Sequence, residues 1–273
     1  MRLRLCWRVL HGVWRLMGER DLDLIAAGVA FYAMLSVFPA VAAVIALWGF
    51  VADPAVIESQ LDLLRPLIPA EVFAIIDGQT SALIGSNNST LGLATLISTA
   101  VAIWTARAGV DALKRGLNAA YGTQPRSGIS GFLVSLLLTF ALVGIALVAL
   151  ASIVVAPLIL AFFPDFLLGG NTMVVVRWAV TVAVVMGGLG VIYRYGPNHR
   201  GPRPDWISPG AVIAILLWAA ASTGLSTYLA NFANYNEVYG SIGAVIALLL
   251  WLFLSALSVL LGAAVNSELE DAV

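Results

Sequence analysis

Hydrophobic residues in this chain do not alternate with polar ones but run together in six long blocks separated by short polar segments. The blocks are Leu24 to Phe50, Leu91 to Ala106, Gly131 to Phe163, Met173 to Tyr193, Ile207 to Phe232 and Tyr239 to Val265. An α-helix rises about 1.5 Å per residue, so about 20 apolar residues cross a hydrocarbon layer of roughly 30 Å. Continuous apolar character argues against outer-membrane strands, which alternate over about ten positions. The pattern therefore predicts an all-α, polytopic membrane protein built as a six-transmembrane-helix bundle. Two blocks are unusual in length. The second is short until Arg107, and reaches spanning length if Arg107 lays its stem along the helix and its head at the interface. The third overshoots the hydrocarbon, which predicts tilting or a break near Pro157.

Ahead of the first block, residues 1–22 carry a different period. Leu3, Cys6, Trp7, Leu10, Val13, Trp14 and Met17 recur at helical spacing, while Arg4, Arg8, His11 and Arg15 take another face. That predicts a cytoplasmic amphipathic helix lying in the membrane interface, with Arg toward anionic lipid and Trp among the headgroups. The block from Leu24 is far longer than a signal-peptide core of about 7 to 15 residues, so it reads as a retained span. Residues 23–267 then form the membrane domain and 268–273 an acidic tail. Inside the domain the connection 51–90 carries Val56, Ile57, Leu61 and Leu64, then Val72, Phe73 and Ile76 beyond Pro66 and Pro69. These predict one or two short helices on the external surface, serving as a lid or resting on the bundle.

Charge placement orients the bundle. Arg2, Arg4, Arg8, Arg15 and Arg20 precede the first block; Arg107, Lys114, Arg115 and Arg126 follow the second; Arg194, Arg200 and Arg203 follow the fourth. Short cytoplasmic loops collect Lys and Arg, so these three segments share the cytoplasmic side and both termini lie there. Only 11% of residues are charged and 61% are hydrophobic, against about 25% charged in a soluble domain. The formal net charge of -1 favours neither nucleic acid as a partner nor a solvating acidic role. A single cysteine, Cys6, excludes an internal disulfide and a cysteine-rich metal site. No Walker A loop is present, and His11 and His199 stand on different segments. No catalytic group, metal site or cofactor site is expected from these residues.

The polar residues inside the blocks are the remaining candidates. Pro39 removes a helical hydrogen bond and leaves carbonyls near Ser36 that either face a pathway or mark a plain kink. Tyr228 and Asn266 are the other candidate pathway residues; a cavity lined by Ser36, Tyr228 and Asn266 distinguishes a transporter from a packed scaffold. Asp111 lies one turn from Arg107 and Arg115, predicting a charge network. Arg177, about a turn inside the fourth block, either snorkels or meets Glu237 or Asp165. Ser222, Thr223, Ser226 and Thr227 in the fifth block, and Trp251, Ser255, Ser258 and Gly262 in the sixth, predict helix-packing surfaces.

Several segments resemble the recurring blocks of the YihY/BrkB inner-membrane family. They are Ala26 through Pro39, Leu117 through Tyr121, Tyr193 through Asn198, Pro209 through Ala211, Tyr239 through Ala244 and Leu261 through Asn266. The resemblance covers most of the chain and implies a bacterial inner-membrane protein with six spans and both ends cytoplasmic. Family members have carried the name ribonuclease BN, and one is linked to serum resistance. The nuclease label finds no convergent acid, base and phosphate-binding groups in this sequence. The leading expectation is a transporter or exporter of a lipid-like or small amphiphilic solute; the second is a non-transporting envelope scaffold. Expected partners are anionic lipids of the cytoplasmic leaflet and a second copy or envelope protein, and no nucleic acid.

The topology is testable directly. Reporter tags at Gly122 and His199 are expected to read cytoplasmic, and tags at Gln79 and Asn234 periplasmic; a periplasmic signal at His199 overturns the six-span arrangement.

Overall fold

The computed structural model describes residues 2–48, 65, 70, 73–74, 77–78, 91–160, 170–199, 203–231 and 241–270. Among these, all extended regular structure is helical. The helices are α1 (Arg2–Glu19), α2 (Leu22–Trp48), α3 (Leu91–Ala120), α4 (Gly128–Leu160), α5 (Gly170–Tyr195), α6 (Pro209–Asn231) and α7 (Ser241–Glu270). Each of α2 to α7 contains most of one apolar block. The predicted external helices of 51–90 lie almost entirely outside the described residues, as does the tail beyond Glu270. By length and composition, Gly128–Ile145, Pro209–Leu229 and Gly243–Glu270 qualify as membrane spans, and Leu22–Val37 and Ala179–Tyr195 are shorter apolar stretches. Within those three spans only 22%, 17% and 28% of residues are buried inside the protein. Their exposed Leu137, Phe140, Leu216 and Leu249 therefore need an apolar neighbour, which lipid supplies.

Neither proline breaks its helix. α2 stays helical through Pro39 and α4 through Pro157, so the expected break near Pro157 does not occur and the chain absorbs each missing N–H within a continuous helix.

α2 packs along α3 and α6 along α7; α7 also crosses α2 and α3, and α4 pairs chiefly with α5. The core gathers Leu22 and Ala26 of α2, Leu117 and Ala120 of α3, Leu189 and Tyr193 of α5, Ala211 and Ala214 of α6, and Leu260, Ala263 and Ala264 of α7. These positions are the starts of α2 and α6 and the ends of α3, α5 and α7, so the core lies at one end of the bundle. The basic segments of the sequence flank the same end.

α1 lies against the end of α7 and the start of α2. Its apolar residues do not form the single face read from the sequence. Val9 and Leu16, with Val13 and Met17 beside them, face the bundle, whereas Trp7, Leu10 and Trp14 form a separate exposed stripe. Arg8, His11 and Arg15 occupy a third face. Asp21, at φ 49°, turns the chain from α1 into α2, and its carbonyl accepts from Ile25 N at 3.0 Å; Asp is among the few side-chain-bearing residues that tolerate this conformation.

α6 and α7 touch backbone to backbone. A Cβ placed on Gly210 would meet the Gly262 carbonyl and the Asn266 amide, and one on Gly262 would meet the Tyr193 hydroxyl, the Gly210 carbonyl and Ala214. Small residues admit such an approach in membranes, where close packing replaces hydrophobic collapse. Farther along, Trp218 Nε1 donates to Ser255 Oγ at 3.1 Å and Trp251 Nε1 to Ser222 Oγ at 3.0 Å. The two tryptophans thus bracket the pair reciprocally.

Gly262→Ala is expected to lower stability by about 1 to 3 kcal/mol through overpacking, measured as a lower melting temperature in detergent. Gly28→Ala, in a helix position with open space around it, is expected to leave stability unchanged or raise it by about 0.5 to 1 kcal/mol.

Candidate functional site

Lys114 is 3% exposed, and a buried ammonium needs partners for all three of its protons. α3 and α4 supply them. Asp111, one turn before Lys114, holds Nζ at 2.9 Å, and the facing turn of α4 offers the Gly131 carbonyl at 2.8 Å and Ser135 Oγ at 2.6 Å. Ser135 Oγ in turn approaches Asp111 Oδ1 at 2.8 Å. Arg115 Nε closes the outer side of Asp111 at 3.1 Å. Burial raises the Asp111 carboxyl pKa, but the hydrogen bonds from Lys114, Ser135 and Arg115 and the charge of Lys114 outweigh it, bringing the pKa down to about 2.

One turn farther, Asn118 begins a belt of hydrogen bonds that ties the helix ends together. Its Nδ2 donates to the Lys114 carbonyl at 2.7 Å, and its Oδ1 accepts from Thr123 Oγ1 and Asn198 N, each at 2.9 Å. Gly122, at φ 61°, ends α3 in the left-handed conformation that glycine adopts without strain. Arg126 then donates to the carbonyls of Gly196 at 3.0 Å and Pro197 at 2.9 Å, covering orphan acceptors at the end of α5. The ring of His199 pairs its Nε2 with the Tyr193 carbonyl at 2.9 Å and packs edge-on against Tyr121. Tyr193 Oη donates to the Val259 carbonyl at 2.8 Å. On the α6 side, Asn266 accepts from Gly210 N at 2.7 Å and donates to Ser208 Oγ at 2.9 Å.

Between α3, α4 and α5, just inside this belt, lies a narrow cleft lined by Val110, Leu113, Lys114, Leu117, Leu138, Leu142, Ile192 and Gly196. Its volume is about 10 Å³, room for about one water. Among the described residues no three His, Cys, Asp or Glu side chains gather as a metal-ligand group.

Residues 13–273 match the family described as Virulence factor BrkB. The chain belongs to the BrkB family. The ribonuclease-like protein YfkH of Bacillus subtilis strain 168 is 31% identical over 247 residues, 89% of this chain and 88% of its own length. The UPF0761 membrane proteins of Xanthomonas campestris pv. campestris strain B100 and Xanthomonas oryzae pv. oryzae strain PXO99A are each 35% identical over 79 residues. Those matches cover 29% of this chain and 18% of the relatives. No solved structure matches the chain.

The candidate residues read from the sequence are scattered across this BrkB-family bundle. Ser36 Oγ donates to its own helix, at the Ala33 carbonyl 2.7 Å away. Asn266 is buried in the α6–α7 joint. Tyr228 stands on the exposed side of α6, 18 residues beyond Gly210 and so about 27 Å along the helix from that joint. The side chains of Pro39 and Arg177, and the whole of Glu237, lie outside the described residues. Asp111 and Arg115 meet as the spacing indicates, but Arg107 turns away and rests against Trp104 and Phe132. Lys114 and Ser135, which complete the cluster, were legible only as a loop cation and a small polar residue. The signal for them is Lys114 at three residues from Asp111, opposite Gly131 and Ser135 spaced four apart on α4.

Asp111→Asn leaves Lys114 buried without a counter-charge and is expected to cost about 3 to 5 kcal/mol, with Asp111→Asn/Lys114→Met recovering most of it. Because the folded pKa of Asp111 lies below the ordinary 3.8, the pair's contribution is complete above that pH and is lost as pH falls toward about 2. Melting temperature against pH in detergent is expected to show this acid loss in the parent and not in the double variant.

Proposed function

We propose that this BrkB-family protein is a bacterial inner-membrane protein with six spans and both termini cytoplasmic, and that it moves a lipid-like or small amphiphilic solute across or out of the membrane. The observation that carries the reading is the cleft between α3, α4 and α5, whose apolar walls suit an acyl chain. The α4–α5 pair meets the remaining helices mainly through α3, while the belt pins it near the basic end. A swing of that pair on its pins widens the cleft from water size to solute size, a hinge motion of the kind that opens many binding sites. On this reading the protein is not an enzyme. The ribonuclease-like name belongs to YfkH; here His199 is engaged with Tyr193 and Tyr121, and His11 stands on α1.

The second reading is an envelope scaffold, favoured by how tightly the belt closes the basic end. Motion separates the two. Leu113→Cys and Leu138→Cys, introduced with Cys6→Ala, place thiols on facing walls of the cleft for a short reducible bifunctional reagent. Envelope lipids and exported metabolites of cells lacking the gene are compared with those of complemented cells, and the species that depends on the protein becomes the readout. Crosslinking is expected to abolish that dependence and reduction to restore it; full function while crosslinked sinks the transport reading and leaves the scaffold.

A further inference from the structure

Arg107 presents a separate problem of charge. Asp111, the acid one turn away, is already held by Lys114 and Arg115, and Arg107 has no ion pair or hydrogen bond among the described residues; its Nε is buried without a partner. Its guanidinium carbon lies 5.1 Å from the centre of the Trp104 ring and 4.8 Å from that of Phe132. Both rings are on the outside of the bundle, 63% and 42% exposed. From Trp104 an apolar strip continues along exposed Ile97 and Val101 on the same face of α3. A cation held between two exposed rings, beside an apolar strip, is a combination that packing alone does not require.

We propose that Arg107 is the headgroup site of one tightly held anionic phospholipid, whose phosphate takes the guanidinium protons that the protein leaves unpaired and whose chains lie on the strip. Phosphate suits the planar fork of arginine, and two parallel hydrogen bonds fix it in place. Trp104 and Phe132 already sandwich a cation, so a choline group finds no aromatic cage here and adds like charge beside Arg107. Net-negative headgroups are selected for that reason. Free phosphate satisfies the guanidinium but gains nothing from the strip. Neither Arg107 nor its two rings line the α3–α4–α5 cleft, and the site does not depend on the transport reading.

Native mass spectrometry of the full-length protein, delipidated in detergent and titrated with phosphatidylglycerol, phosphatidylcholine or inorganic phosphate, tests the assignment. Phosphatidylglycerol is expected to bind at least about tenfold more tightly than phosphatidylcholine, the factor one charge-assisted hydrogen bond supplies, and Arg107→Gln to lose one such lipid. Arg115→Gln, whose guanidinium is occupied by Asp111, is expected to keep it. Equal retention by Arg107→Gln, equal binding of phosphatidylcholine, or displacement of the lipid by an equal concentration of inorganic phosphate overturns the proposal. An unmutated measurement stands beside these. A phosphatidylglycerol carrying a diazirine in its acyl chain is expected to label the parent protein on peptides within 97–132, and labelling confined to other peptides rejects the site even if the Arg107 variant fails to fold.

Discussion

Two glycines set how close α6 and α7 come, and the basic end of the bundle is organised around that distance. With Gly210 and Gly262 in backbone contact, the Asn266 amide reaches the Gly210 N–H and the Ser208 hydroxyl. Asn266 Oδ1 thereby satisfies the Gly210 N–H, which lacks an acceptor within α6 at its start, and Ser208 Oγ accepts from Asn266 Nδ2 and Ala211 N. The same approach leaves a slot for Tyr193, whose hydroxyl reaches across to α7 and so fixes the end of α5. Through His199, Asn198 and Arg126 the end of α5 is coupled to the end of α3. In a bilayer, where lipid tails compete with apolar side chains on equal terms, such polar and close-packed contacts specify which helices neighbour which.

α3 treats its two cations in opposite ways. Lys114 and Arg107 are seven residues apart, two helical turns, yet Lys114 is enclosed by Asp111, Ser135 and a carbonyl, whereas among the described residues Arg107 is held by aromatic faces alone. An ammonium is a compact point charge that a small pocket of oxygens can enclose. A guanidinium is flat and weakly hydrated, and rests on rings at lower cost.

The apolar blocks made the helices readable, because continuous hydrophobicity over spanning length has few alternative outcomes. The polar joints were harder. Asn266 in the sequence is a polar residue near the end of an apolar run, equally suited to lining a pathway or to capping a neighbour; only the crossing at Gly262 decides that it caps. The segments that carried the family resemblance, Leu117 through Tyr121, Tyr193 through Asn198, Pro209 through Ala211 and Leu261 through Asn266, are far apart in the chain and fold against one another as the belt. Helical spacing placed Arg107 beside Asp111, yet the competition for that carboxylate is settled by Ser135 and Lys114, partners whose positions depend on how α4 docks. The division of α1 into a bundle-facing stripe and an exposed aromatic stripe was hidden for the same reason: both are apolar, and only the neighbour distinguishes them.

The seat of α1 has a consequence for how the chain is made. Gly12 lies directly under the Glu268 carboxylate, and Arg15 approaches that same carboxylate at 3.7 Å. The ribosome thus delivers α1 some 250 residues before the surface that receives it. Until α7 arrives, its tryptophans and arginines have the membrane interface and the start of α2 to rest on. The clasp closes when α7 is in place, so the contact between α1 and Glu268 is a chemical record that the first and last helices described have met.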